Sequence, residues 1–491
     1  MGKKRKSTHR QQEIIDPFDW ARDYLTQSEI KQLEKSLALE IPASIRINCL
    51  KSDPIKFIAA LEARYGWQAD PIPFTTSGFW VRSANSAPSS TIEHRMGYYY
   101  IQEAASMLPV ELFDLNSSAN SLILDMAASP GGKTIHLIDK TRDQALVIAN
   151  DASRSRIPAL QVVLRNWGAI NQAVTCQQGE WFGYAMPETF DAVLLDTPCS
   201  MQGLRVSASH KVRPITKNEI LALAERQINL LSSALQTVKV GGTVVYSTCT
   251  LSPHENEGVL NTILERYPGT FQIMDITDRL SKPAPGVGNI HGNPLPDAVT
   301  RAARLWPHIF NTAGFFSAKL IKTRPLSQPK QNHPEIFDNH INLLGDADAV
   351  SIIGQIESQF GIDLQGIMVK QSLTITEDKG NFMLMPKQLL GIHKQLPIHS
   401  FGIALGKPLP DCWQPSHVLV SRFGDQFSQN VYTLDDKYLE RWNRGEDIRG
   451  VSSSTIASGT VVAVRDQSGR NLGRGKILSD RIKNQLPTRL F

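Results

Sequence analysis

The sequence has few cysteines and no long apolar run. Its five cysteines are scattered over 491 residues without a Cys-x-x-Cys pair. This argues against a disulfide framework and a structural zinc site, so we expect no metal and a reducing cytoplasm. No run approaches the ~20 apolar residues that span a bilayer, and the charged N-terminus has no apolar core after it, so neither a membrane segment nor a secretory signal is expected. The cysteines are Cys49, Cys176, Cys199, Cys249 and Cys412.

Positive charge is concentrated at the two ends of the chain. The net charge is +5, and residues 1–10 and 451–491 each carry +5, so the remaining residues sum to −5. Basic ends favour a polyanionic partner such as a nucleic acid, because phosphate contacts dominate that affinity. The alternative is a solvated tail and a solvated face.

The middle of the chain alternates between strand and helix patterns. Strands alternating with helices predict an α/β fold with a doubly wound, mostly parallel sheet. The pair Gly241-Gly242 is expected to end the longest helix. Strands are predicted over 121–125, 145–151, 173–177, 190–196 and 243–247, and helices over 131–139, 157–167 and 217–238.

Two further units are expected around this sheet. A basic tail over 1–10 precedes a small α+β domain over 11–100, and the sheet domain spans 101–325. A proline-containing linker over 326–335 leads to a separate C-terminal domain over 336–491. Within it, 458–464 and 474–478 predict a hairpin with a basic face.

The turn after the first strand of the sheet has the composition of a ligand loop. It reads DMAASPGGKT (Asp125–Thr134), with small residues that allow close backbone approach at a helix N-terminus. A P-loop needs glycine where Ala127 stands, and no Gly-x-Gly-x-x-Gly fingerprint occurs. The turn therefore fits a nucleoside without a phosphate chain. Asp151, at the end of the next strand, suits ribose hydroxyls, with a helix N-cap as the alternative.

Two cysteines follow strands of this sheet. Cys199 follows FDAVLLD and Cys249 follows TVVYST, and the two strands are expected to be neighbours because one crossover helix separates them. Both thiols would then face one pocket, with Asp196 between them and the ligand turn. In a reducing compartment such a pair favours catalysis over a disulfide. The alternative for a cysteine is a small buried apolar residue.

Three motifs in this order, DMAASPGGKT, DTPCS and YSTCTLSPHENE, resemble the RNA cytosine-C5 methyltransferases of the RsmB/Nop2/Sun family. GYYYIQEAASMLP (97–109), RINCLK (46–51) and RLWPHIFNTAGFF (304–316) fit the same family. FGIALGKPLPDCWQPSHVLV and GRGKILSDRIKNQLP resemble the PUA-like RNA-binding domain of its bacterial 16S rRNA member. The resemblance implies a Rossmann-like class I methyltransferase domain, a small N-terminal RNA-binding domain and a PUA-like C-terminal domain.

The resemblance also implies a binding site for S-adenosylmethionine. Two positions depart from the family pattern: Gln178 stands where an aspartate is usual, and Met201 replaces the first glycine of PCSGxG. An amide can still hydrogen-bond at position 178. The implied cofactor residues are Ala127, Ala128, Ser129, Pro130, Gly131, Gly132, Lys133, Asp151, Gln178 and Asp196.

The implied reaction forms 5-methylcytosine in RNA. Cys249 attacks cytosine C6, Cys199 assists removal of the C5 proton and release, Asp196 binds the N3/N4 edge, and Lys133 binds the base or offsets its charge. The expected substrate is small-subunit ribosomal RNA or the assembled 30S subunit, and the enzyme is expected to be a cytoplasmic monomer. Transfer RNA and a non-catalytic RNA-binding assembly factor are the alternatives. A redox protein is disfavoured, since it gives no reason for the ligand turn.

Overall fold

The structure is a computed structural model that describes residues 19–82, 86–115, 121–205, 214–326, 336–378, 380–410, 412–451 and 456–487. The predicted basic tail over 1–10 lies outside these residues, and so does the predicted linker over 326–335 apart from Leu326.

The N-terminal region is a four-stranded antiparallel sheet with helices beside it, in the order β2-β3-β1-β4. Its first helix begins with a reciprocal capping box, in which Thr26 and Glu29 bond each other's backbone. The elements are α1 (Gln27–Ala38), β1 (Ala43–Ile47), α2 (Pro54–Tyr65), β2 (Gln68–Pro71), β3 (Gly78–Arg82), α3 (Ile92–Arg95), β4 (Tyr99–Ile101) and α4 (Leu108–Glu111), with 3₁₀ helices at Asp19–Asp23, Pro88–Ser90 and Ala104–Met107.

The central region alternates strands and helices as the pattern predicts. Its strands are β5 (Leu122–Asp125), β6 (Leu146–Asn150), β7 (Gln172–Thr175), β8 (Phe190–Asp196), β9 (Val238–Thr248), β10 (Phe271–Met274), β11 (Asn289–Ile290), β12 (Asn293–Pro294), β13 (Ala303–Leu305) and β14 (Phe315–Lys322). Its helices are α5 (Gly132–Lys140), α6 (Ile157–Trp167), α7 (Gly179–Ala185), α8 (Lys217–Thr237), α9 (Glu257–Arg266) and α10 (Pro307–Phe310), with 3₁₀ helices at Pro253–Glu255, Thr277–Arg279 and Asp297–Arg301.

The central sheet is mostly parallel. Its order is β10-β14-β9-β8-β5-β6-β7, and β14 runs antiparallel to β9, β10 and β13. The adjacent pairs β7–β6, β6–β5, β5–β8 and β8–β9 are parallel, so the carboxyl ends of these five strands lie at one edge of the sheet. The inward-facing residues of these strands are fully buried, as expected for a sheet covered on both faces. The predicted fold class is confirmed for this region.

The long helix α8 does not end at Gly241-Gly242. It ends at Thr237, and the two glycines lie inside β9, where the pairing with β8 is irregular. A Cβ on Gly242 would come 2.8 Å from the Asp191 carbonyl oxygen, so the glycine permits close approach within the sheet. The prediction that this pair stops the helix was wrong, because a strand bulge also uses glycine.

The C-terminal region contains two sheets. A four-stranded sheet, β15-β16-β18-β19, packs with α11 and α12, and a five-stranded sheet has the order β20-β22-β23-β24-β21. The predicted hairpin is present as β22 and β23. The elements are α11 (Asp346–Phe360), α12 (Leu364–Lys370), β15 (Leu373–Asp378), β16 (Asn381–Pro386), β17 (Ile398–Phe401), β18 (Ile403–Pro408), β19 (Trp413–Pro415), α13 (His417–Phe423), β20 (Val431–Thr433), α14 (Leu439–Asn443), β21 (Ile448–Arg449), β22 (Val461–Arg465), β23 (Asn471–Ile477) and β24 (Arg481–Asn484), with 3₁₀ helices at Lys387–Gly391, His393–Gln395, Gly424–Gln426 and Asp436–Tyr438.

The C-terminal region is joined to the rest of the chain by secondary structure and by buried contacts. Strand β17 pairs antiparallel with β7 and so extends the central sheet. The Lys51 ammonium of the N-terminal region donates to Ser421 Oγ at 3.0 Å. On the predicted basic hairpin, the Arg470 guanidinium contacts the buried Glu93 carboxylate. Part of the basic face is therefore used inside the fold.

Candidate active site

A cavity of about 200 Å³ lies at the carboxyl edge of the central sheet. It is lined by the ends of β5 and β8, by the turn after β5, and by β4 of the N-terminal sheet with the segment that follows it. The lining residues are Tyr100, Ile101, Gln102, Glu103, Ser106, Asp125, Ala127, Ala128, Ser129, Pro130, Gly132, Lys133 and Asp196.

Backbone contacts fix the turn after β5. Ala128 N–H donates to the Asn150 carbonyl at 2.7 Å, and Ser129 N–H donates to Asp151 Oδ2 at 3.1 Å. Gly131 has φ 115°, and a Cβ there would lie 3.0 Å from Leu160. Glycine is therefore required where the turn enters α5.

Three of the predicted cofactor residues do not line this cavity: Gly131, Asp151 and Gln178. Asp151 is 3% exposed, and its carboxylate accepts from the N–H groups of Ser129 and Ser153. The alternative of an N-cap is not observed either, since α6 is preceded by Arg156 at its N-cap. Gln178 is exposed and precedes α7 without a side-chain capping bond.

The N-terminal contribution to the cavity was missed by sequence reasoning. Tyr100–Glu103 and Ser106 belong to the stretch GYYYIQEAAS, which carried the family resemblance but received no role. Glu103 is partly buried and accepts from the N–H groups of Ala313 and Ser106, at 2.9 and 3.2 Å. Burial raises the pKa of Glu103, an effect that these bonds oppose.

A charged pair lies in the cavity wall. Lys133 Nζ is 2.7 Å from Asp196 Oδ2 and 3.0 Å from Ser106 Oγ, and Ser247 Oγ donates to Asp196 Oδ1 at 2.7 Å. Burial alone lowers the pKa of Lys133, but the neighbouring Asp196 outweighs it and the net pKa is raised. Lys133 therefore stays an ammonium, and Asp196 keeps a fixed orientation.

A third acidic group lies beneath this pair. Asp125 is fully buried and bonds Thr134 Oγ1 at 2.7 Å. Burial raises the pKa of Asp125 to about 7, with Asp196 adding to the increase. Asp125 thus exchanges a proton near neutral pH, whereas an exposed aspartate is ionised there.

The two cysteines of interest meet beside this wall. Strands β8 and β9 are adjacent and parallel, with Asp196 opposite Ser247. Cys199 Sγ and Cys249 Sγ lie 3.4 Å apart, and we refer to these two residues as the cysteine pair. The hydrogen bond with Cys249, followed by burial, raises the pKa of Cys199 well above its usual value. Cys199 therefore holds its proton while the pair is intact. All five cysteines are free thiols.

A buried carboxylate connects the loops that carry the cysteine pair. Glu255 Oε2 accepts from Ser200 N–H at 2.9 Å and from Gln227 Nε2 at 3.1 Å. Ser200 Oγ also bonds Glu255 and lies 2.8 Å from Thr250 Oγ1. Because Ser200 follows Cys199 and Thr250 follows Cys249, this network fixes the spacing of the two loops.

Gly203 brings a third backbone segment against the Cys249 loop. Its N–H donates to the Cys249 carbonyl at 3.1 Å, and its carbonyl accepts from Gly314 N–H at 2.7 Å. A Cβ there would lie 2.5 Å from the Gly314 carbonyl oxygen, so the approach requires glycine. Met201, two residues earlier, has φ 58° and is 43% exposed. This left-handed backbone explains a glycine in the family pattern and costs methionine about 1–2 kcal/mol.

The loop after Cys249 is fixed by a buried ion pair between Arg304 and Glu257. Arg304 Nε and Nη2 donate to the two oxygens of Glu257 at 2.7 and 2.6 Å, and Arg304 Nη1 donates to the Leu251 carbonyl at 2.7 Å. Both side chains are fully buried. Both glutamates of the HENE motif, Glu255 and Glu257, lie in the first turn of a helix and also form internal contacts.

Neither a metal-binding cluster nor a membrane-spanning helix occurs in the described ranges. No group of three or more His, Cys, Asp or Glu side chains is arranged there to hold a metal ion. None of the helices in that part of the chain combines the length and apolarity needed to cross a bilayer.

Known proteins resemble this chain over nearly its full length. Residues 112–321 match the family described as 16S rRNA methyltransferase RsmB/F, and residues 18–104 match the N-terminal domain of 16S rRNA methyltransferase RsmF. Ribosomal RNA small subunit methyltransferase F of Erwinia tasmaniensis is 30% identical over 486 residues, which cover 98% of this chain and 95% of the relative. The chain belongs to the RsmB/F methyltransferase family. The corresponding protein of Citrobacter koseri is 32% identical over 457 residues, covering 91% of this chain and 90% of that protein.

Solved structures of the same fold support the family assignment. A methyltransferase homolog from Pyrococcus horikoshii is 30% identical with a TM-score of 0.53, covering 59% of this chain and 90% of that chain. NSun6 from Pyrococcus horikoshii, solved with SFG, has a TM-score of 0.53 at 20% identity, covers 62% of this chain and 97% of that chain, and shows the shared fold alone. The predicted family and class I methyltransferase fold are confirmed, and the PUA-like character of the C-terminal region stays a prediction.

As an RsmB/F methyltransferase, the protein uses S-adenosylmethionine. The residues of the cavity fit this group. Small residues, Ala127, Ala128 and Gly132, leave room next to the backbone, and three carboxyl groups, Glu103, Asp125 and Asp196, line the space. Carboxylates suit a cofactor that carries a sulfonium and an ammonium group.

Proposed function

We propose that this protein methylates C5 of a cytosine in 16S ribosomal RNA through a transient covalent bond between Cys249 and cytosine C6. The observation that carries the proposal is the cysteine pair, whose sulfurs are 3.4 Å apart at the sheet edge that also carries the cavity. Family membership supports the substrate class, because the relatives are named for 16S rRNA.

Cytosine C5 is a weak nucleophile. Two thiols that act one after the other overcome this low reactivity. The Cys249 thiolate adds to C6, which makes C5 enamine-like. Bound S-adenosylmethionine would supply an electrophilic methyl group, to which C5 bonds as the methyl–sulfur bond breaks and leaves a neutral thioether. A base then removes the proton from C5, the C6–S bond breaks, and the electron pair of that bond returns to Cys249 while the C5–C6 double bond reforms.

Cys199 is suited to be that base after Cys249 has reacted. The hydrogen bond with Cys249 is the largest reason that the pKa of Cys199 is raised. Once the Cys249 sulfur is bonded to C6, this cause of the raised pKa is removed, so the Cys199 thiol gives its proton to solvent more readily and its thiolate can accept the proton from C5. We therefore assign Cys199 as the base that removes the C5 proton, and it can act only after Cys249 has bonded to C6.

Asp196 and Lys133 are assigned to base recognition. The Asp196 oxygens accept from Ser247 and Lys133, and each retains a lone pair for the N4 amino group of cytosine. Lys133, held beside Asp196, offsets negative charge that develops on the ring. The target base must leave its stack to reach this edge, at a cost of a few kcal/mol.

The flanking regions are assigned to RNA binding, over 11–100 and 336–491. The N-terminal segment contributes to the cavity wall, and basic residues are concentrated near the C-terminus. We further propose a cytoplasmic monomer that acts on ribosomal RNA or the assembled 30S subunit. Free thiols in all five cysteines agree with a reducing compartment.

The test is methyl transfer from tritiated S-adenosylmethionine by the full-length protein to 16S rRNA, assembled 30S subunits and transfer RNA, followed by bisulfite sequencing. We expect label in one of the ribosomal substrates. Cys249→Ala should abolish transfer and keep cofactor binding, whereas Cys176→Ala, at the end of β7, should remain active. An active Cys249→Ala protein would refute the nucleophile assignment. Label in transfer RNA alone would show that transfer RNA, and not ribosomal RNA, is the substrate. A wild-type protein that binds RNA without methylating it would instead be an assembly factor.

A further inference from the structure

A second polar cavity, of about 350 Å³, lies between the two C-terminal sheets. Its walls come from β16, β18, β19, the start of α13, and β23. None of its lining residues carries a carboxylate, while Lys407 and Arg474 carry positive charge. A cavity with cations and no acidic group is complementary to an anion.

Arg474 is poorly satisfied by the protein itself. One of its terminal nitrogens donates to the Pro415 carbonyl, but its buried Nε has no hydrogen-bond partner among the described residues. Burial lowers the pKa of Arg474, with no carboxylate to oppose that effect. A guanidinium in this setting gains from an oxyanion that takes the free N–H.

His417 adds a second unpartnered group to the same wall. Both ring nitrogens are buried, and neither finds a hydrogen-bond partner in the described part of the chain. Burial, followed by the nearby Arg474, Lys51 and Arg95, lowers the pKa of His417 to about 3. The imidazole is therefore neutral and offers one N–H donor, and a buried polar group without a partner destabilises the fold unless a ligand satisfies it.

Other arginines of the basic C-terminal segment bond mainly within the fold, although Arg465 Nε, like Arg474 Nε, has no hydrogen-bond partner among the described residues. Arg465 donates to the carbonyls of Gly424 and Phe427, and Arg470 contacts Glu93. Arg474 differs from them, because it reaches a cavity that also holds the exposed Lys407 and the amides of Asn381 and Gln414. Cationic and neutral donors therefore converge on one space.

We propose that this cavity is a binding site for one phosphate group of the RNA backbone, held by Lys407 and Arg474 with the side chains of Gln414 and Asn381. Phosphate is a tetrahedral oxyanion that accepts several hydrogen bonds at once, as this set of donors requires. The inference rests on the proposed function for the identity of the anion as RNA. It adds a contact that positions the substrate at a place separate from the cysteine pair.

The test uses full-length variants, because β17 connects this region to the central sheet. Lys407→Ala removes one exposed cation, and Lys370→Ala, an exposed lysine of α12 outside the cavity, is the matched control. Binding of a 16S rRNA transcript is measured from 50 to 300 mM salt. We expect Lys407→Ala to weaken binding about 3- to 10-fold and to reduce the slope of log K against log salt by roughly 0.7–0.9, the value for one phosphate contact. Lys407→Glu should weaken binding further.

Two further measurements separate the outcomes. Cofactor affinity and methyl transfer at saturating RNA should match the wild type in Lys407→Ala, since Lys407 lies outside the catalytic site. Inorganic phosphate is titrated in parallel as the free anion. An unchanged salt slope and RNA affinity in both Lys407 variants would overturn the proposal, and so would a loss of phosphate binding without any change in RNA binding. Neither result affects the Cys249 test, so the two proposals fail independently.

Discussion

Replacing Cys199 with alanine should separate the formation of the covalent RNA adduct from its release. Cys199 Sγ lies 3.4 Å from Cys249 Sγ, so the substitution removes one thiol and leaves the nucleophile in place. The backbone of the Cys199 loop is held by Ser200 and Glu255, which the substitution does not touch. We therefore expect Cys249 to attack and the methyl group to be transferred, with the C5 proton then left without its base.

The expected loss of turnover rate follows from the contribution that a positioned base makes to catalysis. General acid–base groups contribute about 10²–10⁴-fold to rate. This corresponds to about 3–5 kcal/mol of activation free energy. Turnover by Cys199→Ala should fall by that factor, while the first methyl transfer per enzyme remains.

The assay is gel electrophoresis under denaturing conditions after incubation with S-adenosylmethionine and labelled RNA. Cys199→Ala should give a slow-migrating protein–RNA band, and the Cys199→Ala/Cys249→Ala double variant should not. Cys176→Ala controls for loss of a cysteine at the same sheet edge. A Cys199→Ala protein that turns over at the wild-type rate, or that gives no band, would refute the assignment of Cys199 as the base.

Two predictions concern stability and are measured by urea unfolding. Because the folded-state pKa of Asp125 is raised from 3.8 to about 7, its contribution is complete below pH 4 and is lost as pH rises through 7. The free energy of unfolding should therefore fall by at most about 4 kcal/mol from this group, and Asp125→Asn should flatten the decline between about pH 4 and 7; an equal decline in the variant would contradict the assignment. Arg304→Met leaves the buried Glu257 unpaired and should cost about 3–5 kcal/mol, while Arg301→Met, on an exposed residue, should cost less than about 1 kcal/mol; equal losses would argue against the buried pair.

The sequence predicted those parts of the site that depend on the sheet. Strand ends are fixed by the alternation of strands and helices, so Cys199, Cys249 and Asp196 could be assigned to one edge from the pattern alone. Lys133 followed from its place at the start of α5. Local sequence sets these positions, and parallel pairing brings them together.

The contacts that could not be predicted join residues far apart in the chain. Glu255 bonds Ser200, and Arg470 bonds Glu93 across 377 positions, so neither contact leaves a local signal. Asp151 shows the opposite case. Its place at a strand end was predicted, but its carboxylate is used by the adjacent turn, because a short side chain reaches the nearest free N–H groups first.

The pairing of β17 with β7 also has a consequence for synthesis of the chain. Thr175 of β7 is synthesised about 220 residues before its partner Ile398. At a synthesis rate of about 5–20 residues per second, the outer edge of the sheet stays unpaired for roughly 10–45 s. An uncovered edge presents free N–H and carbonyl groups that can pair with another polypeptide. A nascent protein that stops before Ile398 keeps this edge open to other incomplete chains, so β17 serves as the closing segment of the methyltransferase sheet.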